Sequence, residues 1–260
     1  MCCCLPIYPE LSEKTAHPIF NTDKSTFSID SQQRLWKVHT EPEKNEIDYI
    51  FRHNVLVCNL PPHSRLLTPT SMIRQNDHTI ILCMPLGKTD LFNIIKEPFD
   101  WEFLRGELVE LALVIQYLHE NDVAHRDIKP ENVVLYKGQL CLIDFDFAGH
   151  LTQKMHCGTV LFKCPESMSE SWTCSDSDFS RRNDVYAFGK LVMAVLWQAA
   201  AHKMINNRDF IFDAFHADFL EEMTQPFSGT WGEWCTVAVH CLSKNPPSTI
   251  PLHLMTKPHM

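Results

Sequence analysis

The hydrophobic and polar positions change period along the chain, and that change divides it. Thr26 to Asp30 alternates as a short strand, Ser31 to Gln33 has turn character, and Arg34 to His39 returns as the second strand of a hairpin. Helical periodicity follows over Glu43 to Arg52 and ends at Pro61 and Pro62, while His78 to Met84 is a compact apolar run of strand length. From Asp90 the pattern is helical. Phe99 to His119 carries apolar residues at 103, 104, 108, 111, 112, 115 and 118, the three-and-four spacing of one buried face, and Val185 to Ala201 repeats that density. The layout predicts an α+β chain with a small strand-rich first part, a hinge near Pro85 to Lys88 and a larger helical second part. A cleft between two such parts is the default place for a ligand.

Composition narrows the function classes. With 23 Lys and Arg against 32 Asp and Glu, the 260-residue chain carries a net charge of −9, which argues against counterion-driven binding to nucleic acid. The 11 cysteines are odd in number and scattered, so neither a disulfide framework nor a four-cysteine zinc site is indicated, and a reducing compartment is expected. The apolar runs Leu108 to Leu118 and Leu191 to Ala201 fall short of a membrane span of about 20 residues. The opening MCCCLP lacks the charged and apolar regions of a secretory signal; Cys2, Cys3 and Cys4 read either as a reduced tail or as S-acylation candidates. His119-Glu120 is not a zinc-protease pair, because the next histidine, His125, is six residues on rather than four.

Chemistry concentrates in YLHENDVAHRDIKPENVVLYKGQLCLIDFDFAG, from Tyr117 to Gly149. His125, Arg126 and Asp127 are followed by Lys129 and by Asn132, five residues after the aspartate, and Asp144-Phe145 ends the apolar run Leu140 to Ile143. This segment resembles the eukaryotic protein kinase family: H-R-D-x-x-x-x-N in the catalytic loop, the lysine of the serine/threonine branch, and the first two residues of D-F-G. Gly158-Thr159, Phe162 and Cys164-Pro165-Glu166 resemble the end of an activation segment, with Cys164 for the usual Ala. Asp184-Val-Tyr-Ala-Phe-Gly189 resembles the start of the long helix whose aspartate braces the catalytic loop. Met84-Pro-Leu-Gly-Lys-Thr-Asp-Leu-Phe92 is similar to a hinge and the helix after it. The resemblance covers about residues 20 to 258.

The resemblance implies a bilobal kinase-like fold after an N-terminal tail over 1–19. The domain would run 20–260, with an N-lobe of about 20–84, a hinge of about 85–88 and a C-lobe of about 89–260. It implies ATP and Mg2+, with Mn2+ as an alternative, and protein substrates. Asp127 would accept or orient the acceptor hydroxyl proton, Lys129 would steady the transferred phosphate, and Asn132 and Asp144 would hold the metal. Backbone groups around Met84 and Leu86 would meet adenine, Lys37 would take the α- and β-phosphates, and Glu46 would be its helix partner. Phosphoryl transfer explains why these residue types are needed, since it requires an aligned hydroxyl and neutralised phosphate charge more than covalent help.

Several positions depart from the family pattern. No glycine precedes Gly87, so the stretch Asn21 to Thr26 over the phosphates has none, and Asp23 there would repel them. Leu35 replaces a small residue above adenine. Asp146 replaces the glycine of D-F-G, which would either repel phosphate or add a metal ligand, and Thr249 replaces the late arginine that would pair with Glu166. Thr152 is a candidate phosphorylation site, and residues 169–180 read as a solvated insertion. The retained set Asp127, Lys129, Asn132 and Asp144 favours a serine/threonine protein kinase, expected as a cytoplasmic or nuclear monomer. The alternative is a kinase-shaped decoy or scaffold that transfers nothing. The pared-down N-lobe is similar to kinases carried by large DNA viruses.

Overall fold

A computed structural model describes residues 17–22, 24–40, 44–153, 157–165, 178–202, 230–243 and 245–255. The expectations placed on Cys2 to Cys4, Asp23, Glu166 and residues 169–177 lie outside them.

Among the described residues the first lobe is a five-stranded antiparallel sheet with one helix. Strands β1 (His17–Asn21), β2 (Ser25–Ile29), β3 (Arg34–Thr40), β4 (Ser71–Asn76) and β5 (Thr79–Pro85) lie in the order β1-β2-β3-β5-β4. The expected hairpin is β2 and β3, in register from Ser25 opposite His39 to Ile29 opposite Leu35. Asp30 closes its turn by accepting from the N–H groups of Gln32 and Arg34 and from the Trp36 indole. Between β3 and β4, helix α1 (Lys44–Cys58) packs Ile47 and Ile50 against Met72, Ile80, Leu82 and Met84, the core of this lobe. The helix runs six residues beyond the expected end at Arg52 and stops before Pro61-Pro62. Strand β4 had no counterpart in the sequence reading.

Gly87 links the lobes. A Cβ there would stand 2.7 Å from the Val134 side chain, so only glycine lets the connection pass this close. The second lobe contains β6 (Thr89–Asp90), α2 (Leu91–Lys96), α3 (Trp101–Glu120) and β7 (Val123–Ala124). It continues with the hairpin β8 (Val133–Tyr136) and β9 (Gln139–Leu142), then β10 (Gly149–His150), α4 (Asp178–Ala201) and α5 (Thr230–Cys241). Asp90 and Asp100 cap α2 and α3 through their side chains, which accept from the N–H of Asn93 and Phe103. The expected face of α3 is buried at Leu104, Leu108, Leu111, Ala112, Ile115 and Leu118, packed with Phe188, Leu191, Trp234 and Val237 in the main core. The fold is α+β and bilobal.

The connector from α1 to β4 is pinned to the second lobe. Arg65 pairs with Glu107 of α3 through both Nη nitrogens, at 2.5 and 3.2 Å, and donates from Nη1 to the Leu140 carbonyl. Leu142 and Leu67 extend the contact by backbone hydrogen bonds to Arg65 and Leu142. This anchor fixes where the β8–β9 hairpin, and the residues that follow it, meet the sheet above.

Candidate active site

The catalytic-loop residues lie between β7 and β8, where a short chain segment must turn twice. Asp184, inside α4, reaches into that turn. Its Oδ2 accepts from the N–H of His125 and pairs with His119 Nε2, and its Oδ1 accepts from the N–H of Arg126, at 2.8 to 2.9 Å. It is wholly buried, and its carboxyl is held below the ordinary range: burial opposes this, and His119, His125 and the Arg126 N–H outweigh burial. Asp184 is thus a brace and not a helix cap. Arg126 has φ 69, a left-handed conformation that a bulky side chain adopts only when its surroundings impose it. Those surroundings are the Asp184 bond to its N–H and two 2.6 Å bonds from its Nη2 to the carbonyls of His150 and Gln153.

The next residue, Asp127, has both carboxylate oxygens occupied. Oδ1 accepts from the Thr159 N–H and hydroxyl, at 2.8 and 2.7 Å; Oδ2 accepts from Lys129 Nζ at 2.8 Å and Asn132 Nδ2 at 2.9 Å. Lys129 also donates to the Thr159 hydroxyl at 2.8 Å. Burial would raise the Asp127 carboxyl, but Lys129 and then Thr159 hold it below the ordinary carboxylate range. Thr159 comes this close because Gly158, at φ 92, passes beneath the loop, where a Cβ would stand 2.2 Å from the Arg126 carbonyl. His125 stays structural: its Nδ1 accepts from the Asp127 N–H, its Nε2 donates to the Ile143 carbonyl, and its ring meets Phe145 edge-on.

Asp144 follows β9 with φ 65, a second left-handed residue at the site. Its Oδ1 takes a 3.1 Å bond from Lys37, which reaches across from β3, and its Oδ2 has no hydrogen bond among the described residues. Asn132 likewise turns its Nδ2 to Asp127, at the backbone carbonyl and the carboxylate, and its amide oxygen has no hydrogen bond among the described residues. A carboxylate oxygen and an amide oxygen left open are hard donors. They suit a divalent cation such as Mg2+, which takes one or two protein ligands and completes its shell with water and phosphate.

Lys37 and Glu46 separate. Lys37 is buried and bonds Asp144 and Asp146, the latter at 2.5 Å. Burial would lower its ammonium; the two carboxylates reverse that and hold it above its ordinary value. Glu46, expected as its partner, sits in the first turn of α1 with a half-exposed side chain and pairs with Lys24 at 3.4 Å instead. The helix contributes Asn54 and His53 here, both bonded to Asp146. Neither residue was singled out in the sequence, and one signal was present: a carboxylate in place of a glycine next to the site needs a partner.

A cavity of about 50 Å³ lies between the lobes, lined by Leu35, Lys37, Leu82, Met84, Asp144 and Phe145 among others. Met84 lines this cavity, while Leu86 is half-buried outside it. In the glycine-free stretch, the Thr22 N–H donates to the Ser25 carbonyl and the Thr22 hydroxyl accepts from the Ser25 N–H. Thr152 is exposed on the segment that Arg126 ties down, and Thr249 lines a groove on the second lobe.

A family model for the protein kinase domain matches residues 32–248. The chain belongs to the protein kinase domain family. Among curated proteins it is similar to the serine/threonine-protein kinase mph1 of Schizosaccharomyces pombe, 29% identical over 143 residues, 48% of this chain and 21% of that one. It is also similar to Aurora kinase B of Xenopus tropicalis, 26% over 211 residues, 75% of this chain and 56% of that one. A third relative is the serine/threonine-protein kinase sgk-1 of Caenorhabditis elegans, 29% over 170 residues, 59% of this chain and 36% of that one. The chain therefore spans between about a fifth and a little over half of the length of these relatives.

Proposed function

We propose that the protein is a serine/threonine protein kinase that transfers the γ-phosphoryl group of ATP to protein hydroxyls with a divalent cation, Mg2+ or Mn2+. The observation that carries this reading is the Asp127 carboxylate with Lys129, Asn132 and Thr159 gathered on it, beside the open oxygens of Asn132 and Asp144. A fully hydrogen-bonded carboxylate of depressed pKa is a weak base in the ground state. Its task is to orient the acceptor hydroxyl and to take the proton only as the bond to phosphorus forms. Lys129, on the same carboxylate, places positive charge where the transferred group gains negative charge. Asn132 and Asp144 would hold the cation, which when bound supplies charge neutralisation for the phosphates. Lys37, kept charged by its two carboxylates, would meet the phosphates from the other side.

The seven described cysteines, Cys58, Cys83, Cys141, Cys157, Cys164, Cys235 and Cys241, are free thiols, which supports a reducing setting, cytoplasmic or nuclear. No helix among the described residues is long and apolar enough to cross a membrane. The test of the proposal is phosphoamino-acid identification on generic protein substrates incubated with the protein, ATP and either Mg2+ or Mn2+. Phosphoserine or phosphothreonine is expected. No phosphoamino acid with either metal would overturn the enzyme reading in favour of a kinase-shaped binding protein.

A further inference from the structure

We infer that Asp146 is the positioning residue for Lys37, supplying from the segment after β9 the carboxylate that the family pattern takes from a helix glutamate. The inference rests on the kinase reading above and concerns how the lysine is held.

Asp146 divides its carboxylate between two elements. Oδ2 takes the 2.5 Å bond from Lys37 of β3, and Oδ1 takes a 3.0 Å bond from Asn54 of α1. The preceding helix residue, His53, donates from Nδ1 to the Asp146 backbone carbonyl at 2.7 Å. Lys37, His53, Asn54 and Asp146 are each less than a tenth exposed, so water does not compete for these bonds. Strand β3 and helix α1 are therefore joined through one side chain. Neither of the roles expected for an extra carboxylate here, repelling phosphate or adding a metal ligand, is needed to account for Asp146, since each of its oxygens takes a protein donor. Asp144, by contrast, keeps its Oδ2 open, so Lys37 retains a counter-charge at Asp146 when Asp144 is engaged elsewhere.

Two departures from the family pattern then explain each other. Helix α1 has no carboxylate at Lys37, since Glu46 pairs with Lys24, and the position that is ordinarily glycine carries one. Asn54 lines the same cavity as Lys37, so a glutamate at 54 could reach the lysine if residue 146 were glycine. The family's own glycine at 146 should accordingly harm this protein, and moving the carboxylate onto the helix should repair the harm.

The experiment compares wild type with Asp146→Gly, Asp146→Asn, Glu46→Gln and the double variant Asp146→Gly/Asn54→Glu. Two readouts are taken: amide hydrogen exchange over residues 44–58 in the nucleotide-free protein, and KM for ATP with kcat. Asp146→Gly is expected to speed exchange in α1 about tenfold and to raise KM for ATP by about tenfold or more. Asp146→Asn keeps the link to Asn54 and loses the charge facing Lys37, so it should raise KM while α1 exchange stays within about twofold of wild type, a split that loss of packing alone would not give. Glu46→Gln should move neither readout beyond about twofold, and the double variant should recover most of both losses. Wild-type α1 exchange in Asp146→Gly, or a folded double variant no better than Asp146→Gly, would overturn the inference. A wild type that transfers no phosphate counts against the kinase reading alone, because the exchange readout still decides this one.

Discussion

Thr159 completes Asp127 from 32 residues away: its N–H and its hydroxyl both donate to Oδ1, at 2.8 and 2.7 Å, while the catalytic loop itself supplies donors only to Oδ2. The carboxylate is aimed by two chain segments, and either can misaim it. Thr159→Val keeps the shape and removes the hydroxyl, leaving Lys129 without its second acceptor. It should lower kcat by about tenfold to a hundredfold with little change in KM for ATP. Thr159→Ser should stay within about threefold of wild type in the same steady-state assay. Equal activity in the two variants would mean that the hydroxyl does not orient Asp127.

The brace under the loop makes a stability prediction. Asp184 is wholly buried and satisfies two backbone N–H groups and one imidazole, so Asp184→Ala strands three buried donors. Urea unfolding should show a loss of about 3 kcal/mol or more. It should also relax the left-handed conformation at Arg126 and abolish transfer.

Leu35 faces the cleft, where the cavity it helps to line holds about 50 Å³. Small-molecule sites commonly need roughly 300 Å³ or more. Leu35→Ala should therefore tighten ATP binding by about threefold or more in a titration, and lower the melting temperature by a few degrees because a half-buried side chain is lost. An unchanged Kd for ATP would show that Leu35 does not limit the pocket.

Asp30 contributes to the response of the first lobe to acid. Burial alone would raise its pKa; the Trp36 indole, the Arg34 N–H and guanidinium and the Gln32 N–H bring it down to about 2 from 3.8. A depressed carboxyl stabilises the fold above its unfolded pKa, and that stability is lost as pH falls from about 4 toward 2. Linkage puts the contribution at about 2 kcal/mol at neutral pH. Asp30→Asn should lose that amount at pH 7 in urea titrations and show a flatter stability profile between about pH 4 and pH 2.

How much of this was legible in the sequence depends on how far apart the partners lie. Asp127 meets Lys129 and Asn132 within five residues, so the resemblance to H-R-D-x-x-x-x-N covered this part of the site, and the likeness to D-F-G after an apolar run covered Asp144. Asp184 was legible through the motif around it. The partner of Lys37 was not, because the contact spans 109 residues and its carboxylate stands where a glycine was expected. The glutamate at the start of α1 fitted the helix pattern, yet side-chain reach is decided by which turn faces the strand, and the facing turn carries His53 and Asn54. Strand β4 escaped because Ser71 to Asn76 is buried at one end and exposed at the other, with no alternation to read. Helix α4 begins seven residues before the expected Val185 because its polar first turns hide the period.

Phosphoryl transfer by this protein depends, on the proposed function, on Asp127. The most direct measurement is the initial rate of label incorporation from γ-labelled ATP, with Mg2+ or Mn2+, into a generic protein substrate by wild type and by Asp127→Asn at equal concentration and matched melting temperature. Wild type should incorporate label, and Asp127→Asn should do so about a hundredfold or more slowly. Equal incorporation by the two proteins, or none by the wild type with either metal, would contradict it.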